Sequence, residues 1–344
     1  MKKITYLILL ITSFSFAQNS QVAKELVLEG VAFYDEGKYT QAISKYNDAL
    51  KVDKDNLFAL AEKAMTLIAT QNYKESVDIC KKVLKLYPNE ELSMLYVTYG
   101  NALDLLGDSK KAIKIYDEGI QKYPNQFQLY FNKGIAFTGL GENEKAKEAI
   151  QSASVLKPNH PGSFNALAIL NQSNRIAAIM SACRYLSLDN ATPRAQLNIK
   201  FVLELMNQDV EKTEPNQVNI TLNNLFDRDK DVVVDNDFSS VDLMLSMGAA
   251  YEMTQEDKCK SDVEKFSDRL KTIFSSLESS RENQSGYYWE YLAPYFIDMQ
   301  KQDLVNTFAN IAFVAKNDKD AMKYLKENKE KVDAFYQWSD EYTW

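Results

Sequence analysis

Small and aromatic residues recur along the first half of the chain at fixed intervals, with polar residues between them. Gly30 and Ala64 stand 34 positions apart, and so do Gly100 and Gly134. Around each, the neighbours repeat. The first unit reads Leu26, Gly30, Phe33, Gly37-Lys38-Tyr39, Ala42, Tyr46, Ala49; the third reads Gly100, Leu103, Gly107, Ala112, Tyr116, Gly119, Pro124. The second carries Ala64, Leu67, Tyr73, Ser76, Cys80, Val83 and Pro88, and the fourth Gly134, Phe137, Gly141, Ala146, Ile150, Ala153 and Pro158. Contacts three and four residues apart fall on one face of a helix. Each unit holds two such stretches, split near Gly37, Gly107 or Gly141, where a left-handed residue closes a helix cheaply. Pro88, Pro124 and Pro158 stop the second stretch. The spacing predicts helix–turn–helix units over 23–56, 57–90, 93–126 and 127–160. One such pair cannot bury its apolar face alone, so the pairs must stack.

Phe164, Ala168, Ala178, Ala182 and Tyr185 keep the same slots in an eroded fifth unit, 161–192, whose turn at Gln172-Ser173-Asn174 lacks glycine. Atypical end units commonly cap a stack. Beyond Pro193 the period is lost. Nine of the eleven glycines precede residue 163, leaving Gly248 and Gly286. The stretch 193–240 is expected to connect two parts, with a helix over Ala195–Met206, a polar run from Asn207 to Asp237 and a possible extended piece at Val232-Val233-Val234. Amphipathic helices are expected at Val241–Met253, Ser261–Leu277, Tyr287–Met299, Leu304–Val314, Ala321–Glu327 and Val332–Trp338, forming a C-terminal helical region over 241–344.

The spaced residues from Ala23 to His160 resemble the tetratricopeptide-repeat (TPR) family. The resemblance implies an all-α fold: a right-handed superhelix over 18–192, with four clear repeats and one degenerate, followed by the C-terminal helices. It also implies a concave groove lined by the first helix of each unit. Carried over by register, that groove comprises Val27, Val31 and Tyr34, then Phe58, Met65 and Ile68, then Met94, Val97 and Asn101, and finally Gln128, Phe131 and Ile135. The subclass that clamps carboxylate tails wants lysine and asparagine where this chain has Val27 and Val31, so it is excluded. An apolar, Met-containing groove suits an apolar helix or extended segment. Either a protein or peptide partner occupies it, or the chain's own C-terminal helices do. The looser likeness of the aromatic-rich C-terminal part is to exported TPR proteins of Bacteroidota, and implies no function.

Charge and composition narrow the partner. The 344 residues carry a formal net charge of -8, or -10 without Lys2 and Lys3. Neither nucleic acid nor an anionic membrane is an expected partner. Lys2-Lys3, the apolar run Ile4–Phe16 and Ser15-Phe16-Ala17 predict a signal peptide over 1–17, too short in its apolar part to span a bilayer. Cleavage after Ala17 would place the chain in the periplasm of a Gram-negative bacterium, without membrane insertion and open to a cell-envelope assembly.

Chemistry is sparse. A single histidine, His160, lies in a turn expected to be exposed, and excludes any site needing two imidazoles. Cys80 and Cys183 read as packed hydrophobes and Cys259 as exposed. Asp227-x-Asp229-x-Asp231 with Asp235 imitates the start of a calcium loop, but Val232 and Phe238 stand where the loop needs glycine and glutamate, so a solvated acidic turn is expected. No phosphate cradle or nucleophile elbow occurs. No catalytic residue, metal or cofactor is expected. The densest aromatic cluster, Tyr287-Tyr288-Trp289-Glu290-Tyr291 with Tyr295-Phe296, reads as core, because a helix apolar on two faces is buried between neighbours. Its alternative is a glycan- or peptidoglycan-associated site pairing rings with the Glu290 carboxylate. The leading reading is a non-enzymatic scaffold.

Overall fold

A computed structural model describes residues 20–214, 217–221, 235–254, 260–282 and 284–344. The expected signal peptide, the Asp227–Asp231 run, Val232–Val234 and Cys259 lie outside them. Among the described residues the fold is all-α apart from one short hairpin, and its contacts group the chain into two compact units that divide after Leu156.

The first unit is four helix pairs. α1 covers 20–35 and α2 Tyr39–Val52; then come α3 (Leu57–Ala69) with α4 (Tyr73–Leu86), α5 (Ser93–Leu105) with α6 (Ser109–Lys122), and α7 (Phe127–Gly139) with α8 (Asn143–Leu156). Every pair turns through a left-handed residue. Gly37, Gly107 and Gly141 have φ of 73°, 83° and 74°, and Gln71 takes the same place in the second pair at 61°. The turn also closes the helix: Lys38 N–H donates to Phe33 C=O (2.8 Å) and Asn72 N–H to Leu67 C=O (2.8 Å).

Within a pair, the helices touch where the small residue of the first meets the large residue of the second. A Cβ placed on Gly30 or Gly100 would lie inside the Tyr46 or Tyr116 ring, and on Gly134 it would strike Ile150. In the second pair, Ala64 faces the smaller Cys80; both are fully buried. Ser76 replaces the alanine of the other units there, and its hydroxyl donates to the Ala64 carbonyl (2.7 Å). Successive pairs are pinned by tyrosines just before the helix-stopping prolines. Tyr123 Oη donates to Glu90 C=O (3.1 Å) and accepts from Leu92 N–H (3.0 Å), and Tyr87 Oη donates to Asp55 C=O.

The second unit opens with α9 (Pro161–Leu170) and α10 (Arg175–Leu188), the pair expected to cap the solenoid. Within this unit α10 is an inner helix, buried from Arg175 to Ser187. Two arginines go with it. Arg175 pairs with Asp242 and donates to Gln208 C=O (2.7 Å) and Ser246 Oγ (2.6 Å). Arg184 donates through Nη1 to Tyr295 Oη (3.1 Å) and Ser339 Oγ (2.9 Å), and through Nη2 to Pro158 C=O (3.0 Å). Around α10 lie α11 (Pro193–Asn207), α12 (Ser239–Thr254), α13 (Asp262–Ser280), α14 (Ala293–Lys301), α15 (Val305–Phe313), α16 (Lys319–Glu327) and α17 (Lys329–Asp340). The expected C-terminal helices are therefore present. The polar run after α11 holds a hairpin that the sequence reading lacked: β1 (Val210–Glu214) pairs antiparallel with β2 (Gln217–Ile220), Val210 opposite Ile220.

A test of the packing compares two glycines. Gly100→Ala must displace the Tyr116 ring, and overpacking of this kind costs about 1–3 kcal/mol. Gly139 ends α7 with open space around its Cα and no positive φ, so Gly139→Ala should be neutral or stabilising by up to ~1 kcal/mol. Urea unfolding followed by far-ultraviolet circular dichroism reads both changes.

Candidate partner-binding groove

The first helices of the pairs, α3, α5 and α7, pack side by side and form one layer, with the second helices behind them. The twelve register positions behave unequally on this layer. Phe58 is 70% exposed, Met94 48% and Ile135 41%. Val31, Tyr34, Met65, Ile68, Asn101, Gln128 and Phe131 are half-buried. Val27 and Val97 are buried in hydrophobic clusters that reach into the neighbouring pairs, and line no surface. Met94 and Gln128 are joined through Gln126, whose Nε2 donates to Met94 Sδ (3.3 Å) and to Gln128 Oε1 (2.5 Å).

Asn101 has a structural duty. Its Oδ1 accepts from Tyr116 Oη (2.7 Å), so the phenol that fills the space beside Gly100 is satisfied from the groove side. The equivalent phenol in the first pair is Tyr46, and the residue equivalent to Asn101 is Val31. Tyr46 is fully buried, and its Oη has no hydrogen-bond partner among the described residues. The Thr66 hydroxyl beside it donates to the Glu62 carbonyl (2.8 Å). Desolvation, with Glu62 nearby, pushes the Tyr46 phenol up to about 12.

Two acids share this region and were missed by a register that counted only three positions per helix. Glu62 and Asp35 sit at intermediate positions of α3 and α1. Burial, then the charge of Asp35, holds the Glu62 carboxyl above the usual carboxylate range. Neither acid has an ion-pair partner among the described residues. Lys63 of α3 is engaged elsewhere, with Glu75 (2.7 Å), and Lys24 of α1 is exposed.

The remaining candidates are structural. His160 is half-buried rather than exposed: its Nδ1 caps α9 by accepting from Ser163 N–H (3.2 Å). Burial, then the charge of Lys157, lowers its pKa, which keeps the ring neutral, and Ser163 is fully buried, so the pair offers no accessible nucleophile. Cys80 and Cys183 are buried; desolvation lifts the Cys80 thiol to about 12 and Cys183 higher still. Such thiols are inert. The aromatic cluster is core, as the two-faced helix predicts. Tyr288, Trp289, Tyr295 and Phe296 are buried, Trp289 stacks on Phe238 (4.5 Å), and Tyr295 stacks on Trp338 (4.9 Å). Residues Tyr288–Leu292 form a π-helical turn just before Pro294, whose ring would clash with the carbonyl four residues back in an α-helix. Glu290 is exposed and accepts from Gly286 N–H (3.1 Å). A cleft of about 970 Å³ in the second unit runs along α11 and is lined by Ile199, Phe201, Leu205 and Ala315. Its charged rim is self-paired, Lys200 with Glu204 and Lys316 with Asp262. No helix among the described residues is long and apolar enough to cross a membrane, and none of their His, Cys, Asp and Glu residues cluster as metal ligands.

Tetratricopeptide-repeat profiles match residues 33–96, 95–126 and 127–160. The first unit is thus a TPR solenoid. A curated relative, the small glutamine-rich tetratricopeptide repeat-containing protein of Dictyostelium discoideum, is 30% identical over 141 residues, covering 41% of this chain and 40% of that protein. The BBSome complex member BBS4 of Bos taurus is 26% identical over 41% of this chain and 25% of its own length. The chain therefore spans less than half of these relatives. Among solved structures, PilW, described as a type IV pilus biogenesis factor, is similar at 19% identity and a TM-score of 0.47, over 55% of this chain and 92% of that one. TPR proteins generally mediate protein–protein interactions and are generally non-catalytic.

Asn101→Val should leave the Tyr116 hydroxyl buried without a partner. An orphaned buried donor costs about 1–3 kcal/mol. Chemical denaturation checks this loss, and Asn101→Val combined with Tyr116→Phe should recover most of it.

Proposed function

We propose that this chain is a non-enzymatic scaffold or adaptor that binds a protein or peptide partner in the groove of its TPR solenoid. The observation that carries the reading is the row of exposed apolar side chains on adjacent first helices: Phe58 on α3, Met94 on α5 and Ile135 on α7. These three side chains leave apolar surface open to water on one layer, and exposed apolar surface of this kind marks interaction sites. Relatives named for membership of a multiprotein complex are consistent with that role. The lysine-led apolar N-terminus supports export, so the proposed place of work is the periplasm, in an assembly of the cell envelope.

Two measurements test this reading. Phe58 is exposed, so Phe58→Ala should change stability by less than about 0.5 kcal/mol. If Phe58 anchors a partner, the same change should weaken capture of proteins co-purifying from the cell envelope by about 2 kcal/mol, some thirtyfold in Kd. Unaltered capture would remove the groove from the account. Separately, N-terminal sequencing of envelope-derived protein should begin at Gln18; an intact Met1 in the cytoplasmic fraction would overturn the export proposal.

A further inference from the structure

Charge is divided unequally between the two layers of the third and fourth repeats. The second helices α6 and α8 carry six and four charged residues, whereas the first helices α5 and α7 carry one each, Asp104 and Lys133. Both of these are committed to the second layer. Lys133 pairs with Asp117 of α6 (2.6 Å), and Asp104, in the last turn of α5, accepts from Ser109 Oγ at the start of α6 (2.5 Å). What α5 and α7 offer a ligand is uncharged: exposed Met94 and Ile135, with half-buried Asn101, Gln128 and Phe131. The hydroxyls of these helices bond carbonyls of their own helix, Thr98 Oγ1 that of Met94 (2.9 Å) and Thr138 Oγ1 that of Gly134 (3.0 Å). The amide oxygens of Asn101 and Gln128 are taken by Tyr116 and Gln126. The first two repeats differ, with Asp35 on α1 and Glu62 on α3.

We infer that the third and fourth repeats receive an uncharged apolar stretch of the partner, with no lysine, arginine, aspartate or glutamate among the residues in contact. An ion brought against Met94, Phe131 and Ile135 would lose hydration and find no free counter-charge, since the one cation and the one acid of α5 and α7 are already engaged. An apolar side chain has no such loss. It removes Met94 and Ile135 from water, which is favourable in proportion to the area covered. Met94 adds tolerance, because a flexible, polarizable thioether adapts to side chains of different shape. The partner class is therefore set by the absence of charge rather than by a fixed motif. This inference rests on the groove reading above and adds the chemistry of the partner to it.

Selection of a displayed random peptide library on the full chain provides the test. The expected result is a set of dissimilar apolar sequences depleted in charged residues. For a selected peptide followed by fluorescence polarisation, raising sodium chloride from ~0.05 to ~1 M should weaken binding by less than about twofold, there being no exposed ion pair to screen. Replacing a central apolar residue of the peptide by glutamate, and separately by lysine, should each weaken binding by about tenfold or more. Ile135→Lys and Met94→Lys, both at exposed sites and checked for folding by circular dichroism, should turn the selection toward acidic peptides whose binding is salt-sensitive. Selected peptides that require a charged residue, or a selection unchanged on both lysine variants, would overturn the inference. In either case, loss of binding in Phe58→Ala would leave the groove reading standing. Absence of any enrichment, or binding indifferent to Phe58→Ala, Met94→Ala and Ile135→Ala alike, would overturn both.

Discussion

Everything in the first unit depends on how closely two helices can approach beneath one side chain. Where Gly30 meets Tyr46, Gly100 meets Tyr116 and Gly134 meets Ile150, the missing side chain of one helix is the space for the large side chain of the other. The second pair meets the same constraint by another division of volume, since Ala64 has gained a methyl and faces Cys80 instead of tyrosine. Because packing density tolerates neither overlap nor void, the two residues must change together. That contact sets the spacing within each pair. The spacing in turn lets α3, α5 and α7 align as one layer whose outer positions are left for solvent or a partner.

Using tyrosine as the filler brings a hydroxyl into a dry place, and the repeats handle it differently. In the third repeat Asn101 accepts it; in the second and fourth, Cys80 and Ile150 avoid the problem. Only in the first repeat is the phenol kept and its acceptor replaced by a valine, Val31. A buried orphan of this kind is rarely tolerated without a reason.

The repeats were legible in the sequence because their contacts are local and recur at fixed spacing. Glycine, alanine and tyrosine slots, the left-handed turns and the proline stops all follow from residues within one or two units. The C-terminal helices were legible for the same reason, their apolar faces being periodic. What escaped was set by distant partners. The burial of α10 was one such feature: Arg175 and Arg184 are made core residues by Asp242, Tyr295 and Ser339, 67 to 155 positions away. The hairpin over Val210–Ile220 was hidden in a polar run by its short strands and few apolar residues. In the groove, register alone placed Phe58, Met94 and Ile135 at the surface, but it also nominated Val27 and Val97, which neighbouring pairs bury.

The two units consequently answer substitution in different ways. In the solenoid, each pair touches only its neighbours, so stability is close to a sum of local terms, and an outward residue such as Phe58 can change without disturbing the contact behind it. In the second unit, Arg184 joins the α9–α10 pair to α14 and α17 through Tyr295 and Ser339, and its guanidinium faces the Tyr295 ring at 4.8 Å and the Trp344 ring at 4.9 Å. Breaking such a buried polar network by removing one member strands the others without partners. A surface meant to meet partners is best carried by the first kind of architecture, where the outer layer is free to vary because the inner contact alone fixes the fold.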